Sequence, residues 1–170
     1  LPATWAAKGD IINNQISFAD HAVAFKRFQG AEDFATHYPF APYQFQLLQK
    51  VFESIRKVGA TGRHLAKGER SMLDAFQTAA VNNGENTTDS LIPLYDFYPS
   101  IESFLDSSVK RAIDQASDNP ALEAWDLKLL RALFLIRYAD AVKGTVDNLA
   151  TLCLDKIDAD KLALKRKIEA

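Results

Sequence analysis

The sequence predicts a mainly α-helical protein, and three observations carry that prediction. Apolar residues recur at a 3.6-residue period over 43–58, 101–113 and 122–136, marking one buried face on each helix. Prolines and glycines fall between these stretches rather than inside them. No β-rich run of alternating apolar residues interrupts the pattern. The predicted architecture is a helical, lid-like bundle followed by a winged-helix-like (helix-turn-helix) three-helix unit.

Residues 1–16 hold Trp5 and a mixed stretch with little period, so they read as irregular or weakly helical, with Trp5 packing on the next element. Residues 31–36 look like a short turn of helix. It leads into an aromatic-proline knot, Tyr38-Pro39-Phe40-Ala41-Pro42-Tyr43, where each proline fixes its own φ and pushes its predecessor into extended conformation. From Tyr43 the residues Leu47, Leu48, Val51, Phe52, Ile55 and Val58 line one helix face. Gly59 and Gly62 end that helix. A loop carrying Arg63, His64 and Lys67 follows, and Gly68 precedes a second helix with Met72, Leu73 and Phe76. The polar stretch 82–88 is the best candidate for a seam between two subdomains.

Beyond it, Asp89 or Ser90 is placed to cap a short helix entered by Pro93, and Leu94 to Pro99 form a second aromatic-proline corner. Ser100 then caps a helix bearing Ile101, Phe104, Leu105, Val109, Ala112 and Ile113. Asn119 and Pro120 start a long helix with Leu122, Trp125, Leu129, Leu130, Leu133, Phe134 and Ile136, which ends at Gly144-Thr145. A shorter helix spans about 146–157. A third, capped by Asp158 with Asp160 near its N-terminal dipole, carries Leu162 and Ile168. Three helices joined by tight turns open a helix-turn-helix or winged-helix unit.

The chain of 170 residues is long enough to bury a core, and its 48% hydrophobic and 25% charged content is that of an ordinary globular protein. A net charge of -2 supplies no global attraction for nucleic acid or anionic membrane. No apolar run approaches membrane-spanning length, and the first residues, with no basic region followed by an apolar core, do not read as a signal peptide. The single cysteine, Cys153, excludes an intramolecular disulfide framework and suits a reducing, cytoplasmic compartment. It sits in an apolar run and reads as a buried small hydrophobe. The chain begins and stops as though excised from something larger.

Chemistry is sparse. The phosphate-binding pattern G-x-x-x-x-G-K-[ST] is absent, no nucleophile-and-base set can be assembled, and His21 and His37 lack metal-ligand spacing. No catalytic residue and no metal ligand is nominated. Asp158 and Asp160 read as caps rather than as an acid and base. Arg70 stands out because it begins a helix after a Gly-rich basic turn, where backbone N–H groups and a guanidinium can face an anion together. On composition alone a solvated arginine paired with Glu69 or Asp74 is the favoured reading, and Arg63, His64 and Lys67 share that ambiguity. Lys161, Lys165, Arg166 and Lys167 are placed either to touch a phosphate backbone or to form a solvated face, since residues 121–170 carry nearly as many acids as bases.

Two blocks, YPFAPYQFQLLQKVFESIRKVGATGRHLAKGERSMLDAFQ (38–77) and LIRYADAVKGTVDNLATLCLDKIDADKLALKRKIE (135–169), resemble the large P-loop ATPase of bacterial phage-exclusion (BREX) systems, the BrxC/PglY type. The resemblance runs over the whole chain and is specific in those blocks. It implies an internal, non-catalytic fragment of an AAA+-like ATPase, its nucleotide-binding motifs lying upstream. Residues 1–82 would hold the lid-like helical region (the lid proper about 17–82), and 89–170 would lead into the winged-helix-like module. The implied role is coupling nucleotide state to DNA or to partner subunits. By the same resemblance ATP and Mg2+ serve the parent protein and not the fragment, other phage-defence subunits are partners, and the parent can self-associate. An arginine in such lids reaches the nucleotide phosphates. Arg70 matches best, and Arg63 is the substitute because the loop before Arg70 is longer than in simpler relatives. The alternative is a helical protein-interaction scaffold without a nucleotide role, presenting exposed aromatics at Tyr95, Phe97 and Tyr98.

Overall fold

A computed structural model describes residues 1–19, 23–58 and 68–170, with the side chains of 68–70 outside that description. The described chain is mainly helical. In order it forms α1 (Pro2–Gln15), α2 (Ala31–His37), α3 (Pro42–Val58), α4 (Gly68–Asn82), a 3-10 turn (Leu94–Phe97), α5 (Tyr98–Ile101), a second 3-10 turn (Glu102–Phe104), α6 (Ser107–Ser117), α7 (Ala124–Ala139), α8 (Val146–Leu152) and α9 (Lys161–Glu169). Among the described residues no helix is long and apolar enough to cross a membrane.

Helix α1 forms where the sequence showed little period. Pro2 sits in its first turn, where the missing N–H costs nothing. Trp5 folds over Gly9, where an added Cβ would come within 2.9 Å of the indole, so glycine is what the close approach requires. The other side of that indole meets Phe28 and Phe34 at centroid distances of 5.9 and 5.6 Å. Tertiary contact, not amphipathicity, therefore fixes this helix.

The hairpin of α3 and α4 forms as the periodicity dictates, with Leu47, Leu48, Val51, Phe52 and Ile55 buried. Val58 and Leu73 depart from the expected stripe and stand 66% and 65% exposed. α3 packs along α7, which also contacts α6, α8 and the 94–97 turn. One buried cluster draws residues from both sides of the polar stretch 82–88.

Several boundaries differ from the sequence reading, and α8 ends at Leu152 rather than near 157. Ser100 does not cap a continuous helix to Ile113: Leu105 is extended, and Asp106 caps α6 by accepting the Ser108 N–H at 2.7 Å. An Asp with a free amide two residues on is a strong stop-and-start signal. Asn119 closes a turn through the Ala121 N–H, and α7 begins only after Glu123, whose N–H donates to Asp126 Oδ2 at 2.7 Å. α7 ends at Ala139 with Asp140 in the left-handed region at φ 46°, ahead of Gly144. Asp160, not Asp158, caps α9 by accepting the Ala163 N–H, while Asp158 pairs with Lys8 at 3.0 Å. Residues 89–91 form no short helix. They run antiparallel to 155–157, with Leu91 N–H donating to the Asp155 carbonyl and Ile157 N–H to the Asp89 carbonyl, both at 2.9 Å.

Three buried polar side chains hold the irregular links. Gln44 Nε2 donates to the Ile92 carbonyl at 2.6 Å, and its Oε1 accepts the Ala41 N–H at 3.0 Å. Asn148 accepts the Ala19 N–H and donates to the Ala19 and Lys143 carbonyls. Thr151 donates to the Ser17 carbonyl at 2.7 Å. Each satisfies backbone groups that helix and sheet ladders leave unpaired.

Gln44→Leu keeps the volume but strands the buried Ala41 N–H and Ile92 carbonyl, so a loss of about 1–3 kcal/mol is expected in chemical denaturation. A loss below about 0.5 kcal/mol would show that these groups find other partners. Asp106→Ala should lower the thermal midpoint while Asp106→Asn, which caps as well, preserves it. Equal midpoints for both variants would remove the capping role.

Candidate functional site

The residues nominated from sequence fall in different places. Arg63, with His64 and Lys67, lies outside the described residues, as does His21. Arg70 belongs to the first turn of α4, its side chain outside the description. The four cations of α9 do not share one face. Lys161 turns inward, its ammonium donating to the Gln15 carbonyl at 2.7 Å and to Thr151 Oγ1 at 2.8 Å. Burial pulls its pKa down to about 8, with Lys165 adding repulsion and Asp147 opposing it. Lys165 pairs with Asp147 on α8, Lys167 Nζ stands 4.4 Å from the Trp125 ring centroid, and Arg166 is exposed. His37 pairs with Asp33 at 3.0 Å on α2. Among the described residues no group of three or more His, Cys, Asp or Glu side chains could hold a metal ion.

The expectation that Tyr95, Phe97 and Tyr98 are exposed is corrected: their relative exposures are 8%, 0% and 2%. The 3-10 turn that Pro93 initiates drives Leu94 and Phe97 into the core. It turns the rings of Tyr95 and Tyr98 toward α7, where Lys128 Nζ lies 5.2 Å from the Tyr95 centroid and Arg131 Cζ lies 5.5 Å from that of Tyr98. Trp125, Lys128 and Arg131 follow at three-residue spacing and so share one face of α7. Trp125 meets the edge of Tyr95 at 6.4 Å.

Tyr95, Lys128 and Arg131 form one wall of a cleft of about 450 Å³. Asn82, Asn83 and Asn86, at the end of α4 and just beyond, form another, and Ser90, Asp155 and Lys156 of the short antiparallel pairing close it. Asn83 is the polar anchor: its Nδ2 donates to the Ala79 carbonyl at 2.9 Å and to Asp96 Oδ2 at 3.0 Å, and its Oδ1 accepts from Asn86 at 2.7 Å. Burial raises the pKa of Asp96, with Asp155 adding to the rise, against the Asn83 bond and Lys128, which favour the charged form. Cys153 lies buried near this wall, its thiol pushed up to about 12 by burial, which leaves it without nucleophilic character.

The cleft joins amides, two carboxylates and three cations, an inventory for binding a polar ligand. It holds no nucleophile oriented by a base. Sequence reasoning passed over it because its walls come from three separate segments. Lys128 and Arg131 stand three residues apart on one helix face, but that spacing says nothing of the other walls. No family model matches the sequence, and no solved structure matches it.

Lys161 gives a pH signature. Its folded pKa lies below the model-peptide value of 10.5, so between about pH 8 and 10.5 the unfolded chain holds more protons and stability attributable to this group rises with pH. The difference in unfolding free energy between wild type and Lys161→Met should therefore move in favour of wild type from pH 8 to 10. A difference independent of pH would show that the ammonium is solvated.

Proposed function

We propose that this chain is a non-catalytic segment of a larger AAA+-like P-loop ATPase of the phage-exclusion type it resembles, coupling nucleotide state to contacts with DNA or a partner subunit. The observation that supports the reading is the continuity between the hairpin and the C-terminal helices. α3 packs directly on α7, and Phe76 of α4 stacks on Phe45 of α3 at 4.4 Å with an interplanar angle of 3°. A shift at the start of α4, where Arg70 stands, would thus move α7 and, through it, α8 and α9. Packed elements transmit displacement because interiors are as dense as organic crystals.

In this reading the lid senses nucleotide through Arg70, with Arg63 as the substitute, and ATP and Mg2+ are bound by the parent protein. The succession α7–α8–α9 acts as the winged-helix-like module. Lys165, Arg166 and Lys167 offer any phosphate contact, since the Lys161 ammonium is engaged with Gln15 and Thr151. Other subunits of the defence system, or further copies of the parent, are the partners. The scaffold alternative loses its exposed-aromatic basis, because Tyr95, Phe97 and Tyr98 are buried.

ATP hydrolysis by the full-length protein, wild type against Arg70→Ala, tests the reading, with folding checked by circular dichroism. A fall in kcat of about tenfold or more, roughly 1.4 kcal/mol of transition-state stabilisation, is expected. Unchanged turnover in both Arg70→Ala and Arg63→Ala would overturn it.

A further inference from the structure

We propose that the cleft between α7, the end of α4 and the 94–97 turn binds a small phosphomonoester with a hydroxyl-bearing body. Its volume of about 450 Å³ falls in the range of small-ligand sites. Lys128, Arg131 and Lys156 all line it, and none forms an ion pair with a carboxylate of the described residues. At longer range Lys128 acts on the Asp96 carboxylate and Lys156 on the exposed Asp158. Lys128 and Arg131 instead ride on the Tyr95 and Tyr98 rings, which orient their charge without neutralising it. Arg131 Nε is moreover buried with no hydrogen-bond partner among the described residues. That nitrogen is closed off from solvent, so an anion in the cleft meets Arg131 through the part of its side chain that lines the wall.

Phosphate suits this set better than a carboxylate, because three cations around one cleft match a compact dianion with three free oxygens. The cleft's two carboxylates weaken but do not cancel that charge. Asp96 is already committed to Asn83, and its burial disfavours ionisation. Asp96, Asp155 and the amides of Asn82 and Asn86 line the same cleft and are left for the ligand's hydroxyls. Acceptors and amides pair with hydroxyls. A polyhydroxylated monophosphate satisfies both sets of groups. This site stands apart from the nucleotide-sensing reading: Arg70 lies twelve residues from Asn82, about 18 Å away along α4 at 1.5 Å per residue.

Isothermal titration of the protein with ribose 5-phosphate, ribose, inorganic phosphate and a twelve-nucleotide single strand tests the proposal. Ribose 5-phosphate should bind with Kd at or below about 1 mM, ribose not at all, and inorganic phosphate at least tenfold more weakly. Arg131→Gln and Lys156→Gln should each weaken ribose 5-phosphate at least tenfold. Lys156 is exposed, so its variant keeps the test valid where Arg131→Gln fails to fold. Absence of ribose 5-phosphate binding, or binding untouched by both substitutions, would overturn the site. Equal affinity for inorganic phosphate would overturn the assignment of the amides and carboxylates to the ligand's hydroxyls. Binding of the oligonucleotide alone would overturn the small-ligand assignment.

Discussion

The ring cluster of Phe40, Phe45, Phe76 and Phe97 is the contact on which the rest of the architecture depends. Phe76 stacks on Phe45 and meets the edges of Phe40 and Phe97, each at 4.9 Å. The four rings come from the aromatic-proline knot, α3, α4 and the 94–97 turn, so one cluster ties four segments together. Edge and offset contacts of this kind contribute roughly 0.5–1.5 kcal/mol each beyond the area they bury. That matters because α2, α5 and α8 have seven, four and seven residues, lengths at which an isolated helix does not persist in water.

Hydrophobic clustering alone would leave the links between these short elements with unpaired backbone groups in a dry interior. Gln44, Asn148 and Thr151, each about 1% exposed or less, resolve that conflict from inside helices. Their side chains reach across to Ile92, Ala19 and Ser17, which are distant in sequence. Burial of an amide without partners costs more than a hydrogen bond returns, so such groups are bonded or absent. Lys161 extends the network by donating to Thr151 and Gln15, and the cation that reads as a nucleic-acid contact in sequence is in part a staple between α9 and α1.

Electrostatics follow from the same placement. The aromatic-proline corner presents ring faces where α7 presents cations, and attraction to the ring quadrupole aligns the cations without discharging them. α4 spans both regions of functional interest, with Arg70 in its first turn and Asn82 at its end against the cleft. Asp140, the positive-φ residue that ends α7, and the Thr145 side chain that caps α8 by accepting the Asn148 N–H, fix how the C-terminal helices turn back toward α1.

The sequence by itself determined the helical class, the α3–α4 hairpin and the position of the corner at 93–99. Those features rest on periodicity and on proline geometry, which act within a few residues. It also determined that Cys153 is buried. Only the tertiary structure decided α1, whose glycine and tryptophan make sense once Phe28 and Phe34 arrive. The true starts of α6, α7 and α9 are local too, yet several Asp, Asn and Ser candidates competed there, and the winners are those whose carboxylates meet a free N–H. The aromatics at 95, 97 and 98 read as exposed because nothing in their own stretch announces that α7 covers them. The cleft was illegible for the same reason. Its walls are brought together by packing between residues tens of positions apart, and no local pattern encodes a meeting of that kind.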